Sequence, residues 1–252
     1  MSPPECLFFL MNCLALESLT ILIVGLGDGL RPEASLNDTG AFTTFTKLTH
    51  LYLYETPRTM ESVWSYMTAP NLKDLSLSPV GGPDDRMRWT NSLIQFIRRS
   101  SCSLEHVLVR DVPTVCAHAL LEEAKTATRF SVLSHPNGQQ VISNTLLSML
   151  NSSQHGSCHL PELEELSLKG VFRTNIDTLL DMIKSRVPPP FPRNGQCPVK
   201  KIRKINIIYH NTGLTEDVEP DALRRFYGEL QSLSTSTGTS IEMAAREITW
   251  RY

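Results

Sequence analysis

Leu163-Glu-Glu-Leu166-Ser-Leu168 is the stretch that decides how this chain is read. Apolar residues stand at its first, fourth and sixth positions, and the last three alternate as a strand with one buried face does. The same phrase returns as Leu48-Thr-His-Leu51-Tyr-Leu53 and Leu72-Lys-Asp-Leu75-Ser-Leu77. Softer copies are Leu16-Glu-Ser-Leu19-Thr-Ile21, Leu104-Glu-His-Val107-Leu-Val109 and Ile202-Arg-Lys-Ile205-Asn-Ile207, with a weak one at Ala127-Thr-Arg-Phe130-Ser-Val132. Successive phrases begin 32, 24, 32, 23, 36 and 39 residues apart.

Self-similarity at such a period is the mark of a repeat architecture, and this phrase is the strand signature of leucine-rich repeats. Regular units run about 20–29 residues, so several here carry longer helices or loops. Helical periodicity fills the intervals. Ser92–Arg99 sets Leu93, Phe96 and Ile97 on one face, and Val141–Leu150 sets Val141, Ile142, Thr145, Leu146 and Met149 along a stripe. Ile176–Val187 follows Asn175 as N-cap, and Asp221–Leu233 follows Pro220. Breakers fall between the units at Pro79–Pro83, Pro136–Gly138 and Pro188–Pro192. The expectation is an α/β fold over 1–252 as a single domain. It takes the form of an irregular leucine-rich-repeat solenoid of about seven repeats, with parallel strands on one face, helices on the other, and a proline-rich loop near 188–198. A regular repeat places an asparagine or cysteine ladder after the strand. Thr56, Val80, Val112 and Val171 stand there instead, so the turns need another support.

The bulk composition narrows the function classes. Apolar residues make up 41% of the 252 and charged residues 20%, enough to bury a core. The net charge of −2 comes without a long basic run, which argues against a nucleic-acid partner held through phosphates. Six scattered cysteines without a CxxC pair read as reduced thiols. The apolar run from Cys6 to Leu16 has no basic region before it and is too short to span a membrane, which takes roughly 20 residues. No membrane contact is expected, and the location expected is cytoplasmic or nuclear.

Motifs for chemistry are sparse. Ile21–Val24 followed by Gly25-Leu-Gly27-Asp-Gly29 approaches a dinucleotide fingerprint, but Leu30 takes the place of the last glycine and Arg31-Pro32 interrupts the helix that should follow. A nucleotide-binding enzyme is therefore the remote alternative. His155, Cys158 and His159 carry zinc-type side chains without a fourth ligand nearby. No Ser/His/Asp grouping emerges from spacing, so no catalytic residue, cofactor or metal is expected.

The strand phrases do define a surface. Side chains alternate along a strand, so the leucine-like residues point inward and those between them emerge. The emergent set is His50, Tyr52, Tyr54, Asp74, His106, Arg110, Arg129, Glu165, Lys169, Lys204 and Asn206. Its mixture of aromatic rings, arginine and both charge signs suits protein recognition, and solenoids expose such a face to partners.

Leu160-Pro-Glu-Leu-Glu-Glu-Leu-Ser-Leu-Lys-Gly170, the helix Thr178–Arg186 and the strand Val199–Ile207 resemble the leucine-rich-repeat portion of fungal F-box-type proteins, over Leu16 to about Ile241. The resemblance implies a substrate receptor of a cullin–RING ubiquitin ligase, whose repeats hold an unknown target protein and whose F-box binds a Skp adaptor and, through it, a cullin. Residues 1–16 are too short for an F-box, so the expectation is an N-terminally truncated receptor or a repeat-only scaffold or inhibitor.

Overall fold

A computed structural model describes residues 13–22, 42–55, 64–79, 83–134, 141–152, 159–173, 175–187, 199–210 and 220–246. Two compact units divide the chain, Met1–Leu104 and Glu105–Tyr252. Both are α/β.

In the first unit, β1 (Ser18–Leu22), β3 (His50–Glu55) and β5 (Asp74–Pro79) form a parallel ladder. A short pair, β2 (Thr43–Thr44) with β4 (Met67–Thr68), lies beside α1 (Pro83–Ser100). Register follows the phrase. Leu19 stands opposite Leu51 and Leu51 opposite Leu75, with Ile21, Leu53 and Leu77 in the next row. All six are buried, as are Trp64, Trp89, Leu93, Phe96 and Ile97. The Trp64 and Phe96 rings meet at 4.9 Å.

The second unit repeats the plan with five parallel strands in the order β6 (His106–Arg110), β7 (Arg129–Leu133), β9 (Glu165–Arg173), β10 (Lys204–His210) and β11 (Ser240–Arg246). Val107, Phe130, Leu166, Ile205 and Ile241 make one row, and Val109, Val132, Leu168, Ile207 and Met243 the next. Four helices, α2 (Thr114–Glu123), α3 (Asn144–Leu150), α4 (Ile176–Arg186) and α5 (Pro220–Thr237), pack in chain order, each on the next. They bury Leu120, Leu147, Leu179, Ile183 and Phe226 among others. Parallel neighbours cannot be joined by a tight turn, which is why a helix or long connection separates every pair of phrases. β11 carries a further phrase, Ile241-Glu-Met243, that its weak flanks hide from sequence inspection.

Most phrases begin with the same turn. The N–H of Leu16, Leu48, Leu72, Ala127 and Leu163 donates to the carbonyl three residues earlier, on Cys13, Phe45, Ala69, Ala124 and Leu160. One residue on, a carbonyl accepts two N–H groups from the following phrase. Glu17 takes Thr49 and His50, Thr49 takes Lys73 and Asp74, Glu105 takes Thr128 and Arg129, Thr128 takes Glu164 and Glu165, and Glu164 takes Arg203 and Lys204. At the last step the Arg203 carbonyl accepts from Ser240, while the Thr239 carbonyl accepts from the Ser234 hydroxyl of α5 at 2.9 Å.

Arginine side chains support the turns. Arg186, 1% exposed at the end of α4, donates Nε to the Leu150 carbonyl at 2.6 Å, Nη1 to Leu160 at 2.8 Å and Nη2 to His159 at 2.6 Å. Its fork thus closes the C-terminal end of α3 and the turn that launches β9. Burial pushes the guanidinium down to about 10, so it stays charged at neutral pH. Arg99, near the end of α1, does the same in the first unit. Its Nη2 donates to the Trp64 and Met67 carbonyls at 2.5 and 3.0 Å, and its guanidinium lies 4.2 Å from the Phe42 ring centre.

One helix differs from expectation. Val141–Ser143 is a strand, β8, paired in parallel with Val171–Arg173 of β9, and α3 starts only at Asn144. The Ser143 hydroxyl caps that start by accepting from the Leu146 N–H at 3.3 Å. With two β-branched residues before a capping serine, the strand takes precedence over the helical stripe. The other three helices form where the periodicity indicates, α1 and α5 extending beyond it. The Asn175 side chain accepts from the Thr178 N–H at 2.7 Å, as an N-cap should. The Gly25–Gly29 loop, Thr56, Val80, His155, Cys158, Pro136–Gly138 and the 188–198 loop lie outside the described residues.

Two stability predictions follow from this packing. Leu166→Ala is expected to lower unfolding free energy by about 2–5 kcal/mol, and Ser167→Ala to leave it nearly unchanged. Equal effects in urea titrations would mean the inward and outward faces of β9 are misassigned. Arg186→Ala should cost on the order of 3 kcal/mol or more, since each buried acceptor left without a donor costs about 1–3 kcal/mol. Arg186→Lys should not restore the urea midpoint, because one ammonium cannot reach three carbonyls as a planar fork does.

Candidate functional site

In each unit the side chains opposite the core form an open strand face, and every emergent residue named from the sequence lies on it. His50, Tyr52, Tyr54 and Asp74 belong to the first unit. His106, Arg110, Arg129, Glu165, Lys169, Lys204 and Asn206 belong to the second.

On the first unit, β3 carries a line of rings. His50 and Tyr52 stack at 6.5 Å with 21° between planes, and Tyr54 follows two residues on. Tyr52 and Tyr54 are 38% and 37% exposed, and Leu22, opposite Tyr54 in β1, is 64% exposed. Their other neighbours are small: Thr20 and Ser76 flank Tyr52, and Ser78 flanks Tyr54. The rings therefore stand above their surroundings as a ridge. In the sequence Leu22 lies within the apolar run Ile21–Val24, and strict alternation from Leu19 and Ile21 is the signal that points it outward.

The base of the ridge is fixed by a relay that spacing could not reveal. Asp74 Oδ2 lies 2.7 Å from His50 Nε2, and His50 Nδ1 lies 2.7 Å from the Thr49 hydroxyl. Such a hydroxyl–imidazole–carboxylate chain has the members of a nucleophilic triad. The Thr49 hydroxyl also lies 3.0 Å from the Glu17 carbonyl, a second acceptor that competes for its single proton. The relay joins the phrases of β1, β3 and β5 at their starts and orients His50 under Tyr52.

The second unit presents charges in register. His106, Arg129, Glu165, Lys204 and Ser240 form the first row. Arg129 Nε lies 3.9 Å from Glu165, and Lys204 Nζ lies 3.1 Å from Glu242 on β11. Beside the face, Glu164 grips Lys200 and Arg203; the Lys200 hydrogen bond holds its carboxyl below the ordinary range. The row at the other end of the strands reads Arg110, Leu133, Lys169, Ile208 and Ala244. Immediately beyond it, buried Gly170 has φ +152°, and a Cβ there would lie 2.5 Å from Ser134 Cβ, so this close strand contact requires glycine.

Other chemistry-bearing groups stand apart. Burial pushes the Cys102 thiol up to about 11, which leaves little thiolate at neutral pH. Among the described residues no three His, Cys, Asp or Glu side chains gather as metal ligands, and no helix is long and apolar enough to cross a membrane. No family model matches the chain, and no curated protein does.

His118, half-buried on α2, yields a pH prediction. Burial pushes its imidazole below the ordinary range, against a smaller upward pull from Glu122. A folded value below the unfolded one, about 6.5, favours the neutral ring in the fold. Its stabilising effect is complete above about pH 6.5 and is lost as pH falls through the folded value. The melting temperature should thus decline on acidification from about pH 7 to about pH 5, and His118→Gln should flatten that decline in parallel thermal melts. Identical profiles would assign the acid sensitivity elsewhere.

Proposed function

We propose that each unit is a run of irregular leucine-rich repeats and that the chain works by holding another protein on its strand face. The observation that carries this reading is the ridge of Tyr52 and Tyr54 with Leu22, three large apolar side chains left exposed side by side on an otherwise polar strand surface. Leaving such surface in water forgoes burial worth about 25 cal/mol per Å², and tyrosine is over-represented where binding energy concentrates. The relay through Thr49, His50 and Asp74 supports the same reading, because a ridge held in place before binding loses less entropy on contact.

On the resemblance of the repeats to F-box-type receptors, the partner is the target of a ubiquitin ligase. The Skp adaptor and cullin then join through an F-box in the full product.

The test is mass spectrometry of proteins that copurify with the chain tagged at its native locus, run beside Tyr52→Ala/Tyr54→Ala. The expected result is a partner recovered with the wild type and depleted at least tenfold with the double variant, whose melting temperature should stay within about 2 °C because both rings are partly exposed. Equal recovery would remove the ridge as the site. Adaptor and cullin among the partners would support the ligase role, and a stable partner without them would favour a ligase-independent scaffold.

A further inference from the structure

We infer that the strand face of Glu105–Tyr252 takes an extended, acidic segment of a partner protein, anchored by a carboxylate on Lys169 between apolar side chains that rest on Leu133 and Ile208. The inference rests on the proposed binding role of the strand faces and specifies what one of them would accept.

Charge balance across the face selects Lys169. The acids of β9 and β11 on this face, Glu165 and Glu242, are each held by a cation, Arg129 and Lys204. Lys169 has no ion pair among the described residues. Glu165 sits four residues back on the same strand, about 13 Å away at strand rise, out of reach. The chain as a whole is slightly acidic, yet this end of the face keeps an unmatched ammonium.

The surroundings of Lys169 say what accompanies the carboxylate. Its register neighbours are Leu133 on β7 and Ile208 on β10, both half-buried. Strands lie about 4.8 Å apart, so the ammonium is flanked on both sides by aliphatic carbon. A carboxylate arriving there displaces water from a half-buried cation, where an ion pair is worth more than on an open surface. A segment crossing the strands would set apolar residues on Leu133 and Ile208 with an acid between them. Nucleic acid fits less well, since this row offers no aromatic ring for stacking and interleaves its cations with aliphatic side chains.

The experiment is selection of random twelve-residue peptides displayed on phage against the full chain. Selected peptides are then measured by fluorescence anisotropy against the wild type, Lys169→Glu, Lys169→Gln and Tyr52→Ala/Tyr54→Ala. The expected result is enrichment of peptides with Asp or Glu bracketed by Leu, Ile, Val or Phe. Their affinity should fall at least tenfold on Lys169→Glu, fall less on Lys169→Gln, and hold in the tyrosine variant. Matching melting curves for the Lys169 variants and the wild type would establish that the fold is intact, and Lys169→Gln, which keeps the length of the side chain, serves as the charge test if Lys169→Glu melts early. Neutral or basic winners, no enrichment, or tighter binding of a single-stranded 20-nucleotide DNA at the same site would overturn the inference. Winners that depend on Tyr52 and Tyr54 but not on Lys169 would overturn it while leaving the strand-face reading in place. Winners indifferent to both sets of substitutions would remove both.

Discussion

The carbonyl shared at the start of five of the phrases is the contact on which the rest of the structure depends. Glu17, Thr49, Glu105, Thr128 and Glu164 each offer one backbone oxygen to two successive N–H groups of the next phrase. That fork admits one alignment only. Once it is made, Leu opposite Leu and emergent residue opposite emergent residue follow along the whole strand. Side chains alternate with period two, so a slip by one residue would turn Tyr52 inward and Leu53 outward together. Core and outward strand face are therefore not independent features of this chain. One backbone contact specifies both.

The helical layer has to meet the strands at a fixed height for this to work, and here Arg99 and the buried Arg186 matter. In this chain Arg99 and Arg186 reach from the ends of their own helices to the last carbonyls of the preceding helical segment and the turn beyond it. A long side chain can bridge where connection lengths vary, which fits phrase spacings that range from 23 to 39 residues. Placing a cation against helix C-terminal carbonyls also complements the helix dipole, so no carboxylate partner is needed to hold Arg186.

How much of this was legible in the sequence follows the physics of each feature. The seven phrases were legible because a strand buried on one face must alternate, and all seven are parallel strands in the register the phrase dictates within their units. The placement of His50, Tyr52, Tyr54, Asp74 and the seven emergent residues of the second unit followed from the same rule. The arginine bridges and the Thr49–His50–Asp74 relay were not legible, because each joins groups 24 to 36 residues apart whose meeting depends on connection geometry. β8 was misread as helix because a stripe of apolar residues is shared by both structures over three residues, and only the Ser143 cap divides them. The turn residue three places before each phrase was overlooked, although Phe45, Ala69, Ala124 and Leu160 are all buried.

The ladder of the second unit changes at β11, the last of its described strands. Five earlier phrases turn a forked acceptor toward the next strand. At β11 the equivalent oxygen belongs to Thr239, and the hydroxyl of Ser234 already holds it from the same unit's own helix. Gly238, with φ +66°, stands where the other phrases begin with an apolar anchor. The acceptor that earlier phrases turn toward the next strand is thus engaged here by the unit's own helix, one of the ways in which strand edges are kept occupied.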